Sequence, residues 1–151
     1  MTSRLFVYGT LRKDSGKSVF HRFAREARFI GRARVQGRLL HLGEYPGLVP
    51  SRDPGLWVHG EVYALENPPD ILARLDDYEG CGPNDPEPHE FERVEKDIVL
   101  ESGTRDDVWV YVYRGSTTDK KEISSGDYFR EALRQRYADH GGCAAAGELD
   151  R

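Results

Sequence analysis

Short apolar segments separated by turn-forming residues run along most of the chain, a pattern typical of strands. The segment at residues 4–8 is largely apolar and stops at Gly9, which predicts a short buried strand. Residues 29–42 alternate loosely and are interrupted by Gly31 and Gly37, which predicts a long bent or bulged strand, or a hairpin. Further strands are predicted at residues 58–65, 91–101 and 108–114.

Apolar residues recur at helical spacing in two segments, residues 18–27 and residues 69–78. Asn67 stands before the second segment as a helix cap, and prolines occupy the first turn. Gly80 follows the last apolar position and predicts the end of that helix.

The end of the chain contains one more helix signal and then loses periodicity. Ser124, with Asp127 three residues later, resembles a capping box and predicts a last helix reaching about residue 137. Residues 141–151 are rich in glycine and alanine, which predicts a flexible tail. Since no linker or repeat divides the remainder, we expect one domain over residues 1–140.

Glycine and proline clusters predict loops at residues 43–47 and 81–89. The five or six predicted strands do not alternate regularly with crossover helices, which favours an antiparallel or mixed sheet. Glycines within the long strands indicate that this sheet curls toward a barrel. The predicted fold class is therefore α+β, a small β-barrel flanked by helices.

Composition narrows the class of protein. A chain of 151 residues with 38% hydrophobic residues is large enough for one ordinary core. No window approaches the roughly 18 apolar residues of a membrane helix, and the N-terminus lacks a secretory signal, so we expect a cytoplasmic protein. Cys81 and Cys143 are far apart and indicate neither a disulfide framework nor a zinc site.

The net charge of −4 conceals an uneven distribution. Residues 1–40 hold ten lysines and arginines against two acidic residues, whereas the remainder is strongly acidic. Complementary packing of the two parts and attraction of an anionic ligand both account for this pattern. A nucleic-acid binder is disfavoured because the chain is acidic overall.

Two positions could carry acyl-group chemistry without a metal. The turn at Gly9 follows a buried strand and can aim successive main-chain N–H groups at an anion. Glu79 ends an apolar-faced helix, where burial would raise its pKa toward that of a general base. A solvated helix-end carboxylate is the alternative, and we expect Asp76 and Asp77 to be surface charges or turn formers.

Other chemistries lack their required spacing. Gly16 begins a Gly-Lys-Ser sequence, but a phosphate-binding loop would need glycine at position 11, which is leucine. The five histidines contain no pair at three- or four-residue spacing, so no metal site is predicted. No Gly-x-Ser-x-Gly elbow is present, and Cys81 in its proline-rich loop has no identifiable base.

Several ordered segments nevertheless match a known family. They are Val7-Tyr8-Gly9-Thr10-Leu11-Arg12, Leu75-Asp76-Asp77-Tyr78-Glu79-Gly80, Phe91-Glu92-Arg93-Val94 and Trp109-Val110-Tyr111-Val112-Tyr113, with further matches at residues 60–63 and 123–128. In this order and spacing, over about residues 4–130, the chain resembles the γ-glutamylcyclotransferase superfamily. The similarity is to its γ-glutamylamine cyclotransferase-like branch, also called avirulence-induced-gene-like.

The resemblance implies a small mixed β-barrel with a cavity at one end. It also implies that main-chain N–H groups of one loop bind the γ-glutamyl group and that one glutamate is the acid/base. The corresponding residues are Tyr8, Gly9, Thr10 and Leu11 for the loop and Glu79 for the acid/base. Tyr111 and Tyr113 are expected to wall the cavity and bind substrate, with ordinary barrel core as the alternative.

The sequence therefore predicts an enzyme that releases 5-oxoproline and an amine from a small γ-glutamyl compound, without a cofactor. A non-catalytic ligand-binding protein of the same fold is the alternative, and an adaptor acting through the proline-rich loop is a third. Phe91, where relatives often carry tyrosine, and the insertion at residues 82–89 leave the choice of amine open. The oligomeric state is open as well.

Overall fold

The computed structural model describes residues 2–9, 25–43 and 45–130. In chain order the elements are β1 (Arg4–Val7), β2 (Ala27–Gln36), β3 (Arg38–His41), β4 (Pro46–Val49), β5 (Trp57–Leu65), α1 (Pro68–Glu79), β6 (Phe91–Leu100), β7 (Arg105–Tyr113) and β8 (Lys121–Glu122). Most of the predicted helix at residues 18–27 lies outside the described residues, as does the predicted tail. At its end, Ala27 is already in β2 and not in a helix.

Five strands close into a barrel in the order β1-β5-β2-β6-β7, and a small sheet has the order β4-β3-β8. Barrel neighbours are antiparallel except β1 and β7, which run parallel with Leu5 beside Trp109. The predicted α+β class with a small mixed barrel is confirmed. Because β1 and β7 are parallel, their carboxyl ends lie at the same edge of the barrel.

Side-chain alternation divides the core into two parts. The barrel interior is filled by apolar residues from all five strands, among them Phe6, Val62, Ile98 and Val110. The opposite faces of β1, β5 and β7 pack against α1, whose buried residues are Ile71, Leu72 and Leu75. This outer layer fixes α1 against the barrel.

The predicted bent strand at residues 29–42 is two strands in different sheets. The register of β2 against β5 shifts between Phe29 and Gly31, which marks a bulge. The chain then changes sheet at Gly37, where φ is 156°. A Cβ at this position would lie 2.9 Å from the carbonyl oxygen of Val49, so the close approach of β4 requires glycine.

The predicted loop at residues 43–47 is wrong in its second half, because Pro46 and Gly47 open β4. Both residue types are typical of turns, but here Gly47 permits a close contact with Tyr113. A Cβ on Gly47 would lie 2.9 Å from the Cβ of Tyr113. The strand β8 was not predicted, since two charged residues carry no apolar signal.

Helix α1 has the predicted proline-containing first turn and ends as predicted. Asn67 occupies the cap position without a side-chain hydrogen bond, and its carbonyl accepts from the Ile71 N–H at 3.1 Å. Gly80 is left-handed, with φ of 77°, and its N–H donates to the Asp77 carbonyl at 3.2 Å. Glu79 is therefore the last helical residue.

A helix begins at Tyr128 and continues to the end of the described residues at 130. Its cap is Asp127, whose Oδ1 accepts from the Arg130 N–H at 3.2 Å, so the prediction of Ser124 as the cap is wrong. Serine and aspartate are both common cap residues, so the sequence alone does not show whether Ser124 or Asp127 caps the helix. Within the described ranges, none of the helices has the length and apolar character needed to cross a membrane.

Among the residues that the structure describes, two ion pairs connect basic side chains of the N-terminal part with acidic side chains of the remainder. Arg4 Nη1 lies 2.8 Å from Asp106 Oδ2, and Arg38 Nε lies 2.9 Å from Glu122 Oε1. These pairs support complementary packing as one cause of the uneven charge distribution. All four side chains are substantially exposed, so each pair contributes little stability.

Candidate active site

The ends of β1, α1 and β7 meet beside the start of β4. A Cβ on Gly9 would lie 3.1 Å from the ring of Pro46, so the turn after β1 packs against β4. The negative charge of Glu79 raises the pKa of both Tyr8 and Tyr111, which places Glu79 near the ends of β1 and β7. The structure thus brings Glu79, Tyr8 and Tyr111 together. Thr10 and Leu11 lie outside the described residues.

Glu79 has a strongly perturbed carboxyl group. The residue is partly buried, and burial raises its pKa to about 7, with further contributions from the charges of Asp76 and Glu90. Among the described residues, none donates a hydrogen bond or forms an ion pair with this carboxylate. Its protonated and charged forms are therefore similarly populated at neutral pH, as a group that both accepts and returns a proton requires.

Asp76 is not the surface charge that the sequence predicts. Its carboxylate forms a bidentate pair with Arg93, with Nε–Oδ1 at 2.8 Å and Nη2–Oδ2 at 3.0 Å. The Tyr111 hydroxyl donates to the same Oδ1 at 2.6 Å. Only 18% of the Asp76 side chain is exposed, whereas Asp77 faces solvent as expected.

The sequence did not reveal the Asp76–Arg93 pair, because the two residues that bind Asp76 come from strands distant from α1 in sequence. Arg93 stands on β6, and its register partner on β7 is Tyr111. One signal was available, because Asp76 lies three residues before Glu79 and so shares its side of α1. The burial of that side depends on strands distant in sequence, which no local pattern reveals.

The three predicted site tyrosines all have hydroxyls bonded within the protein. The Tyr8 hydroxyl donates to the Tyr111 carbonyl at 2.5 Å and accepts from the Leu48 N–H at 3.1 Å. Its pKa lies far above the ordinary value, chiefly because it is buried. The Tyr113 hydroxyl donates to the Ser116 carbonyl at 2.8 Å. Tyr8 thereby joins β1, β4 and β7 at the barrel edge.

A second carboxylate lies near Glu79. The Tyr45 hydroxyl donates to Glu90 Oε1 at 2.6 Å, and this hydrogen bond is the main reason that the pKa of Tyr45 is raised to about 12. The charge of Glu79 contributes to the same shift. Tyr45 and Glu90 stand on separate loops, and no sequence pattern connects them.

The comparisons with known proteins agree with this arrangement. A family model described as gamma-glutamyl cyclotransferase, AIG2-like, matches residues 5–130. The chain belongs to this family. The predicted family and the predicted class, a γ-glutamylcyclotransferase-like enzyme, are thereby confirmed.

Relatives of this γ-glutamylcyclotransferase family member support the assignment. The γ-glutamylcyclotransferase family protein YtfP of Escherichia coli strain K12 is 34% identical over 126 residues, which cover 83% of this chain and 95% of YtfP. The solution structure of E. coli YtfP has a TM-score of 0.58 and covers 85% of this chain and 98% of YtfP. An AIG2-like protein from Mus musculus has a TM-score of 0.63 at 25% identity, over 78% of this chain and 80% of that protein.

The fold is shared more widely. YkqA from Bacillus subtilis has a TM-score of 0.67 at 24% identity over 90% of this chain. The chain spans 43% of the length of YkqA, so this likeness concerns the fold of one part of a longer protein.

Cys81 is unsuited to nucleophilic catalysis in this family member. Its pKa is raised to about 11, first by burial and then by the charges of Asp76 and Glu79. The thiol is therefore protonated at neutral pH, whereas a nucleophilic cysteine needs a stabilised thiolate. Its Sγ lies 3.9 Å from Asp76 Oδ1, which is a weak contact.

Two grooves of about 380 and 430 Å³ lie elsewhere on the γ-glutamylcyclotransferase barrel. Both are lined by Arg32, Leu100 and Glu101, where β2 and β6 are paired only at two positions. Neither Glu79 nor Gly9 lines either groove. These grooves are therefore separate from the candidate active site.

Proposed function

We propose that this protein releases 5-oxoproline and a free amine from a γ-glutamyl amine or a related γ-glutamyl compound, with Glu79 as the general acid/base. The observation that carries the proposal is the partly buried Glu79, whose pKa is raised to about 7. It stands near the end of β1, which leads into the Gly9 turn. Membership of the γ-glutamylcyclotransferase, AIG2-like family supports the same chemistry.

The proposed reaction is an intramolecular acyl transfer. The α-amine nitrogen of the substrate attacks the γ-carbonyl carbon and forms the C–N bond of a five-membered ring. Glu79 accepts the proton lost by that nitrogen, the γ-amide C–N bond breaks, and Glu79 returns the proton to the departing amine. Atoms balance without water, metal or cofactor, and the tethered nucleophile removes much of the entropic barrier.

The turn after β1 provides the proposed anion site. Main-chain N–H groups of Gly9, Thr10 and Leu11 would hold the substrate carboxylate or the developing oxyanion. Such donors lower a barrier by about 2–4 kcal/mol in comparable sites. The rings of Tyr111 and Tyr113 would wall the pocket, while the Tyr8 side chain holds the barrel edge in place.

The test is a product assay on the wild-type protein. γ-Glutamyl amines, γ-glutamyl dipeptides and glutathione are incubated separately, and 5-oxoproline and released amine are quantified by mass spectrometry. We expect equimolar products from at least one compound and none from its α-glutamyl isomer. Absence of product from every compound contradicts the proposal, and calorimetric binding without product would favour the non-catalytic ligand-binding protein.

A further inference from the structure

Asp76, one helical turn before Glu79, accepts three N–H and O–H hydrogen bonds from two side chains. Its two oxygens face the guanidinium of Arg93 at 2.8 and 3.0 Å, and the Tyr111 hydroxyl donates to it at 2.6 Å. Arg93 and Tyr111 are directly opposite each other on β6 and β7. One cross-strand pair therefore binds one carboxylate of α1.

The pair is more rigid than a surface ion pair. The Arg93 Cζ lies 4.3 Å from the centroid of the Trp109 ring, so the guanidinium stacks on an aromatic face. The exposed fractions of the Arg93 and Asp76 side chains are 23% and 18%. A bidentate, partly desolvated pair of this kind has fixed geometry, which a solvated pair lacks.

We propose that Asp76, held by Arg93 and Tyr111, is a positioning residue that fixes the end of α1 and places a negative charge beside the Glu79 carboxylate. The proposal rests on the role proposed for Glu79. Asp76 itself would touch neither substrate nor product. It would act through the position and the protonation of Glu79.

The groups that face Glu79 identify Asp76 as the main charge acting on it. They are Asp76 on α1, Cys81 after it, Glu90 before β6, Tyr8 directly after β1, Tyr45 before β4 and Tyr111 on β7. Asp76 and Glu90 are the acidic side chains in this set. After burial, Asp76 contributes more than Glu90 to the raised pKa of Glu79.

A carboxyl ¹³C NMR titration of the full chain tests the proposal without requiring activity. The Glu79 resonance is assigned by its loss in Glu79→Gln. In Asp76→Asn its titration midpoint should fall yet stay above that of an exposed glutamate, because burial remains. In Asp77→Asn, which removes an equal charge from the solvent side of α1, the midpoint should not move. An unchanged midpoint in Asp76→Asn overturns the proposal.

The variant Arg93→Gln should shift the Glu79 titration midpoint in the opposite direction. Removing the guanidinium leaves the Asp76 charge uncompensated, so the Glu79 midpoint should rise. A merely structural disturbance would move both variants in the same direction, and that result overturns the proposal. If Asp76→Asn does not fold, Arg93→Gln decides alone: a rise supports the proposal, and no change or a fall contradicts it.

Kinetics on a substrate of the wild-type protein separate this proposal from the proposed function. Asp76→Asn should lower kcat about tenfold or more with little change in KM, since misplacement of the acid/base affects the transition state most. The acid limb of its pH profile should move to lower pH. A wild-type protein without turnover would contradict the proposed function alone, while the titrations still decide the role of Asp76.

Discussion

At the scale of single residues, the surroundings of Glu79 disfavour the charged form of its carboxyl group. Burial disfavours its charged form and raises its pKa to about 7, while nearby Asp76 and Glu90 add repulsion. A carboxylate in such surroundings makes the folded protein less stable than a neutral residue would. This unfavourable arrangement is typical of functional sites.

Glu79→Gln should therefore stabilise the fold in a pH-dependent manner. The folded state retains the Glu79 proton up to about pH 7, whereas an unfolded chain loses it near 4.5, so Glu79 lowers stability as pH rises across that interval. We expect the variant to gain up to about 3 kcal/mol at pH 8 and almost nothing at pH 4, measured by urea unfolding. Asp77→Asn is the control, and an equal gain at both pH values would contradict the explanation.

Glu79 and Asp76 differ in how far the sequence alone could indicate their surroundings. Glu79 could be predicted as a candidate because it ends an apolar helix face and belongs to an ordered set of motifs. Asp76 was not, because its partners Arg93 and Tyr111 are 17 and 35 residues away. A partly buried ion pair depends on which strands pack against a helix, and local periodicity does not contain that information.

At the scale of elements, apolar periodicity located β1, β5 and α1 to within about one residue at each end. It failed for β4, whose Pro46 and Gly47 are typical of turns. The reason is steric, because Gly47 lies where any side chain would meet Tyr113 and Leu42. Short strands of this kind are defined by their neighbours more than by their own composition.

Gly47→Ala should destabilise the protein through this contact. Its Cβ would lie 2.7 Å from Leu42 Cδ1 and 2.9 Å from the Cβ of Tyr113, and overpacking of this kind costs roughly 1–3 kcal/mol. Gly103→Ala is the control, because φ there is +95° and no atom lies within 4 Å of the added Cβ. Urea unfolding should show a smaller loss of stability for the control, about 1 kcal/mol, which comes from backbone strain alone. Equal or reversed losses would argue against the contact.

At the scale of the whole molecule, the mixed barrel explains how motifs scattered along the sequence come to lie near one another. Parallel pairing of β1 and β7 brings the Gly9 turn and Tyr113 to one edge, and Phe91 at the start of β6 pairs with Tyr113. Helix α1 packs on the outside of the same strands and ends nearby at Glu79. Closure of the barrel, which the sequence predicted, is what brings these segments together.

The most direct test of the central claim is the pH dependence of 5-oxoproline release by wild type, Glu79→Gln and Asp77→Asn on one γ-glutamyl substrate. We predict that wild-type kcat/KM rises with pH through about 7 as Glu79 loses its proton, and that Asp77→Asn behaves alike. Glu79→Gln should retain its fold by circular dichroism and lose turnover. Wild-type turnover in folded Glu79→Gln would contradict the account.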